Sequence, residues 1–121
     1  TKGSTDTNNP CPKGWRIPTQ TGDGSGELDK LVGKGTNNGS SGNYILTIPG
    51  SNGLNLVLPA AGYRDYYDGS SLNQGSYGYY WSSSVPSGDD TGARTVYFSS
   101  ATFKQIIYSR ASGFSVRCLR Q

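Results

Sequence analysis

The chain has 121 residues, a formal net charge of +3, two cysteines and neither histidine nor methionine. That length suits one domain around a single core. The missing imidazole excludes Ser-His and Cys-His catalysis and histidine zinc sites within the chain, and mixed charges without a Lys/Arg cluster argue against nucleic acid as a partner. Eighteen glycines and six prolines predict tight turns between short strands rather than disorder. No apolar run approaches the length of a bilayer span. Nine tyrosines carry much of the apolar load that aliphatic residues carry in most domains. The chain opens at Thr1 without a methionine, which reads as an excised or processed piece whose leader lies upstream.

In chain order, residues 1–9 read as a polar flexible tail or linker and residues 10–121 as the domain. Pro10 to Pro18 is stiffened by three prolines, with Trp15 and Ile17 expected on one buried side. Thr19 to Gly35 holds the helical candidate. Ser25 is its expected N-cap, Leu28, Leu31 and Val32 are its apolar face, and Gly33 and Gly35 are its stop. Thr36 to Asn43 reads as a Gly/Asn/Ser loop. Tyr44 to Ile48 and Leu54 to Leu58 read as a hairpin turning at Asn52-Gly53.

Pro59 to Gly78 is dense in tyrosine, charge and turn formers. Tyr79 to Ser84 is strand-like around Trp81, and Val85 to Gly92 is a polar loop with Asp89 and Asp90. Ala93 to Ser99 alternates with period two, and Thr102 to Tyr108 follows with Phe103 and Ile106 or Ile107 inward. Short connections make these strands an antiparallel meander. From Gly113 to Arg120, Phe114, Val116 and Cys118 alternate with polar positions, as in a half-buried final strand. Cys118 sits there and Cys11 at the opposite end. A disulfide between them would close nearly the whole chain, stabilise it by about 4–5 kcal/mol on the chain-entropy model, and place the protein in an oxidising compartment. Two separate buried thiols are the alternative.

Four stretches resemble, in order, the motifs of the Fibrobacter succinogenes major paralogous domain family. Cys11-Pro12-Lys13-Gly14-Trp15-Arg16-Ile17-Pro18-Thr19 is similar to its opening CPxGWRLPT. Leu58-Pro59-Ala60-Ala61-Gly62-Tyr63-Arg64 is similar to its middle motif, Tyr80-Trp81-Ser82-Ser83-Ser84 to its YWSS strand, and Gly113 to Arg120 to its GFSVRCV terminus. The resemblance covers about Pro10 to Gln121. It implies an α+β, C-type-lectin-like fold of mostly antiparallel short strands with one or two short helices and paired terminal strands. That fold is related to the formylglycine-generating enzymes and to the variable proteins of diversity-generating retroelements. The resemblance also implies a secreted or surface module of Bacteroidetes-type bacteria, attached at the outer membrane or released, as in pilus-like adhesins. The segment from Thr19 to Gly35 is richer in glycine than the family's fuller helix.

Few residues are suited to chemistry. Asp65 with Asp68, or Asp89 with Asp90, could act as paired carboxylates of the glycosidase kind or bind calcium. Aspartates in Ser/Gly loops are far more often turn residues. The calcium-and-sugar motif of true C-type lectins is absent, and the catalytic cysteine pair of the formylglycine-generating enzymes has no counterpart. No catalysis and no cofactor is expected, with calcium left open. Tyr66, Tyr67, Tyr77 and Tyr79 fall between the motifs and are the contact candidates, because tyrosine offers a flat apolar face and a hydroxyl at low entropic cost. Tyr63, Tyr80, Trp81, Arg64, Arg110 and Arg117 read as structural. The resemblance to the retroelement-diversified relatives adds Lys104, Gln105 and Tyr108. The expectation is an extracellular or cell-surface binding module that takes a glycan or protein ligand, within a larger surface protein and without a membrane span. A structural cap of a pilus or larger surface protein is the second reading, and a carbohydrate-active enzyme using the aspartates the third.

Overall fold

The computed structural model describes residues 8–121. The expected tail therefore lies mostly outside the described residues. Its last residue is bonded into the domain: the Asn9 side-chain amide donates to Trp15 O at 2.8 Å, and its Oδ1 accepts Cys11 N at 3.1 Å.

The elements in chain order are β1 (Trp15–Arg16), α1 (Glu27–Gly33), β2 (Thr36–Asn38), β3 (Ile45–Pro49), β4 (Asn55–Pro59), β5 (Tyr63–Arg64), β6 (Ser71–Leu72), β7 (Gly78–Trp81), β8 (Gly92–Phe98), β9 (Phe103–Ser109) and β10 (Leu119–Arg120). All strand pairs are antiparallel, in sheets ordered β1-β10, β2-β3-β4, β5-β6 and β7-β8-β9. The result is a small, mostly β domain with one short helix and paired terminal strands.

The core forms where the apolar faces of α1, the β2–β4 sheet and the β7–β9 sheet meet. Leu28 and Val32 come from the helix, Leu46, Ile48 and Leu58 from the β3–β4 hairpin, and Tyr80, Val96 and Phe98 from the meander. In β3, Leu46 and Ile48 are buried while Ile45 and Thr47 are only partly so, as a period of two requires. The hairpin turns at Gly50–Leu54, where Gly53 takes a φ of 79° that favours glycine and Asn52 Oδ1 accepts Leu54 N at 3.1 Å. The Tyr80 hydroxyl donates to Pro59 O at 2.9 Å and ties the two sheets together.

The terminal closure is made twice. Trp15 faces Arg120 and Arg16 faces Leu119, and Gln121 N donates to Gly14 O at 2.9 Å. Beside this ladder Cys11 and Cys118 are disulfide-bonded, with Cα atoms 5.9 Å apart and a sequence separation of 107.

The expected final strand from Gly113 to Arg120 is one extended segment that changes partner along its length. Gly113 bridges Arg64, Ser115 runs parallel beside Tyr80, and only Leu119–Arg120 forms a named strand. Alternation in the sequence marks the extended conformation but not the number of partners.

Several expectations are corrected. Trp15 is 39% exposed; β1 ends at Arg16, so its alternation does not carry on to Ile17, which is buried. The helix N-cap is Gly26 rather than Ser25, because the Ser25 hydroxyl is engaged by Asp23 Oδ1 at 2.7 Å. The free helical N–H groups are met from elsewhere: Thr19 O accepts Leu28 N at 2.8 Å and Thr19 Oγ1 accepts Glu27 N at 3.3 Å. The buried Asp29 carboxylate also reaches back to Gly26 N at 3.1 Å and across to Thr21 N at 2.9 Å. The loop expected at Thr36 to Asn43 begins with β2, three polar residues held in strand form by the partner β3. Phe103 and Ile107 share the core-side face of β9 but are 38% and 47% exposed, because β9 is the outer strand of its sheet.

Two stability outcomes follow. Cys11→Ser with Cys118→Ser is expected to lower unfolding free energy by about 4–5 kcal/mol if the cross-link acts by restricting the unfolded chain, as denaturant melts would show. Gly78 faces Phe98 in register, and a Cβ there would stand 2.3 Å from the Phe98 ring. Gly78→Ala is expected to cost about 1–3 kcal/mol through overpacking, read as a lower melting temperature.

Candidate functional site

Directly opposed residues of an antiparallel ladder point to the same face. Tyr80, Val96 and Gln105 therefore share one face of the meander, which is the core side. Tyr79, Tyr97 and Lys104 share the other, together with Trp81, Thr95 and Ile106, and with Ala93 and Tyr108. Sequence-distant rings are added to this second face by the extended C-terminal segment and by β5.

The result is a continuous aromatic band. Tyr79 is its centre and is 8% exposed. Its ring stacks on Tyr97 at 5.7 Å, meets Tyr63 edge-on at 4.8 Å and lies 5.0 Å from Phe114. Tyr77 leans on Tyr79 and Tyr97, both at 6.1 Å, Tyr108 packs on Phe114 at 5.1 Å, and Trp81 stacks on Phe114 at 4.3 Å. Around the buried Tyr79, the rings of Tyr63, Tyr77, Tyr97 and Tyr108 are each half-buried. Each presents an edge or face to solvent while being held by neighbours, so little rotamer freedom remains to be lost on binding. A groove of about 440 Å³ runs beside the band, lined in part by Tyr63, Arg64, Gln74, Gly113 and Phe114.

The hydroxyls are also placed. Asn73 Nδ2 donates to Tyr79 Oη at 3.2 Å, and the Tyr108 and Tyr63 hydroxyls are hydrogen-bonded to each other at 3.4 Å. The hydrogen bond with Tyr108, then burial, push the Tyr63 phenol up to about 12. Burial raises Tyr79 as well, and on the core side burial pushes Tyr80 up to about 12 against the opposing effect of Arg117.

The candidates named from sequence separate into three groups. Tyr77, Tyr79 and Tyr108 join the band, and Lys104 lies on its face opposite Tyr97. Gln105 is on the core side instead, where a Cβ at Gly24 would stand 3.3 Å from its Nε2. Period two makes neighbours on a strand face opposite ways, so Lys104 and Gln105 cannot serve one surface. Tyr66 and Tyr67 lie in the loop between β5 and β6. Tyr67 is 89% exposed, and neither ring stacks on another described aromatic. Tyr63 and Tyr97 belong to the band although sequence reading took Tyr63 as structural and Tyr97 as an ordinary strand residue. The signal for Tyr97 was the register with Tyr79, which no local pattern contains.

The aspartates serve their loops. Asp65 Oδ1 accepts Tyr67 N at 2.7 Å and Asp68 Oδ1 accepts Ser70 N at 2.9 Å. Asp89 Oδ1 accepts Thr91 Oγ1 at 2.8 Å, Thr91 N at 2.9 Å and Gly92 N at 3.1 Å. These bonds hold Asp68 and Asp89 below the usual carboxylate range, Asp68 chiefly through the backbone of Ser70 and Asp89 chiefly through the Thr91 hydroxyl. Asp90 O accepts from the Arg110 guanidinium. Among the described residues no group of three or more His, Cys, Asp or Glu is placed to hold a metal ion, and no helix is long and apolar enough to cross a membrane.

A disulfide-closed, mostly β domain with paired ends and a half-exposed aromatic face is the class that these features define. Residues 1–120 match the model of the Fibrobacter succinogenes major domain, and the chain belongs to that family. No curated protein and no solved structure gives a match.

The raised tyrosines set an alkaline limit. The folded state keeps protons on Tyr63 and Tyr80 from pH 10.0, where an unperturbed phenol ionises, up to about 12. Across that window the unfolded chain binds fewer protons than the folded one. Their contribution is thus complete below pH 10.0 and is lost as pH rises towards 12. Denaturant melts across that range should show falling stability, and Tyr80→Phe, which cannot ionise, should flatten the decline.

Proposed function

We infer that this domain is an extracellular binding module of C-type-lectin-like fold that takes a glycan or a protein segment on its aromatic face. The observation that carries this reading is the ring of half-buried tyrosines, Tyr63, Tyr77, Tyr97 and Tyr108, around the buried Tyr79. The hydrophobic core lies on the opposite face of the same sheet, so these rings are not needed to build it. Rigid aromatic faces with hydroxyl groups suit the apolar faces and hydroxyls of sugar rings, and equally an aromatic or aliphatic protein hot spot. Lys104 adds one cation at the edge. The Cys11–Cys118 disulfide supports an oxidising compartment, in keeping with the cell surface or the secreted state. The family membership and paired termini support the lectin-like assignment of the fold.

The test is a glycan-array screen of the folded domain, with and without calcium, on the parent and two double variants. Tyr77→Ala with Tyr97→Ala is expected to weaken any hit by about tenfold or more, since each lost aromatic contact is worth about 0.5–1.5 kcal/mol. Tyr66→Ala with Tyr67→Ala, on the separate loop, should weaken it less. A hit abolished only by the Tyr66/Tyr67 pair would move the site to that loop. A blank array from a folded domain would favour the structural capping role instead.

A further inference from the structure

β9 is the outer strand of the β7-β8-β9 sheet, and no other strand among the described residues pairs with its far edge. The hydrogen-bonding phase of the β8–β9 ladder follows from the bonds that flank it. Ser99 N donates to Thr102 O at 2.9 Å, and Arg110 N donates to Thr91 O at 3.0 Å. Bonded and non-bonded pairs alternate along an antiparallel ladder. The bonded pairs are therefore Tyr97–Lys104, Thr95–Ile106 and Ala93–Tyr108. The peptide groups of Phe103, Gln105, Ile107 and Ser109 point away from β8. Ser109 O is taken by Ser112 N at 3.1 Å, but no described residue bonds the outward N–H or C=O of Phe103, Gln105 or Ile107.

The opposite edge of the sheet is closed. Ser115 N donates to Tyr79 O and Trp81 N to Ser115 O, both at 3.0 Å. The open edge also lacks the usual defences against pairing: it has no proline, its register with β8 runs without a bulge, and Lys104 is its one charge.

We propose that β9 pairs antiparallel with β9 of a second copy of this chain, about a twofold axis at Ile106. In that register Phe103 faces Ser109, Lys104 faces Tyr108, Gln105 faces Ile107, and Ile106 faces itself. Three features select it. It puts outward peptide groups opposite outward peptide groups, whereas a slip of one residue would set them against groups already bonded to β8. It overlaps all seven residues of the strand, with the Phe103–Ser109 pair joined through Ser109 N to Phe103 O because Ser109 O is taken by Ser112 N, while the neighbouring registers of the same phase shorten the overlap. It also sets each lysine against a tyrosine ring at opposite ends of the ladder, with no like charges opposed and apolar isoleucines at the centre.

The pairing has a consequence for binding. An isologous edge-to-edge contact has its twofold perpendicular to the sheet. Both copies then turn the Tyr79/Tyr97/Lys104 face to the same side of one continuous six-stranded sheet. The assembly presents two aromatic bands together, which favours repetitive ligands through effective concentration. The strand contact alone is smaller than a standard stable interface, so the dimer forms and dissociates with concentration. The pairing does not depend on what the aromatic face binds.

The experiment is sedimentation velocity of the 121-residue chain over a concentration series, combined with amide hydrogen exchange. A reversible dimer is expected, with the Gln105 and Ile107 amides exchanging about tenfold more slowly where it is populated. Ile106→Lys and Ile106→Asp should each weaken the dimer about tenfold or more, and an equimolar mixture of the two should restore it, because residue 106 meets only its own copy. A chain that stays monomeric with fast exchange at Gln105 and Ile107 overturns the proposal. So does a dimer in which those amides still exchange fast, or protection that appears only on adding an extended segment of another protein. Should the Ile106 variants fail to fold, the exchange series on the parent chain decides by itself.

Discussion

The fold depends on the lacing of small sheets by the C-terminal segment. Among the described residues none of the four sheets has more than three strands, and two-stranded ribbons are marginal by themselves in water. Residues 113–120 bond in turn to Arg64, to the free edge of β7 and to β1, so one stretch of chain makes neighbours of three sheets. The disulfide then anchors the end of that stretch to the start of the domain. Phe114 supplies the apolar counterpart, touching Trp81, Tyr63, Tyr79 and Tyr108. Closure, sheet association and the aromatic band thus share one segment.

The two faces of the β7–β9 meander are built from different kinds of residue. Tyr80, Val96 and Phe98 face α1 and the β3–β4 hairpin, and Gly78 leaves room for the Phe98 ring. The other face is dominated by aromatic rings, most of them polar-tipped, that pack on each other. A tyrosine can be half-buried at little cost, because its ring is shielded by neighbours while its hydroxyl reaches water or another hydroxyl. This is how a chain poor in aliphatic residues can support both a core and a rigid exposed surface. Asp65, Asp68 and Asp89, by contrast, are occupied by loop backbone amides, which accounts for their place in turns.

Much of the framework was legible in the order of residues. The Asn52-Gly53 hairpin, the short helix around Leu28 and Val32, the meander and the meeting of Cys11 with Cys118 all follow from spacing, turn chemistry and the lack of other partners for two thiols. The helix cap was not legible, because Thr19 and Asp29 provide it through the folded loop rather than through the residue before the helix. Nor was β2, since Thr36-Asn37-Asn38 has no strand preference of its own and is held by β3.

The candidate site divides the same way. The sequence by itself determined that tyrosine would supply most of the aromatic surface and that imidazole chemistry was excluded within the chain, and it pointed to the two cysteines at its ends closing on each other. Only the tertiary structure decided which tyrosines form a surface. Tyr79 meets Tyr97 through strand register, Tyr63 and Phe114 arrive from distant segments, and Lys104 and Gln105 part to opposite faces. The physical reason is that alternation assigns a residue to one of two faces, whereas register and the path of the returning chain decide what that face meets, and both are non-local.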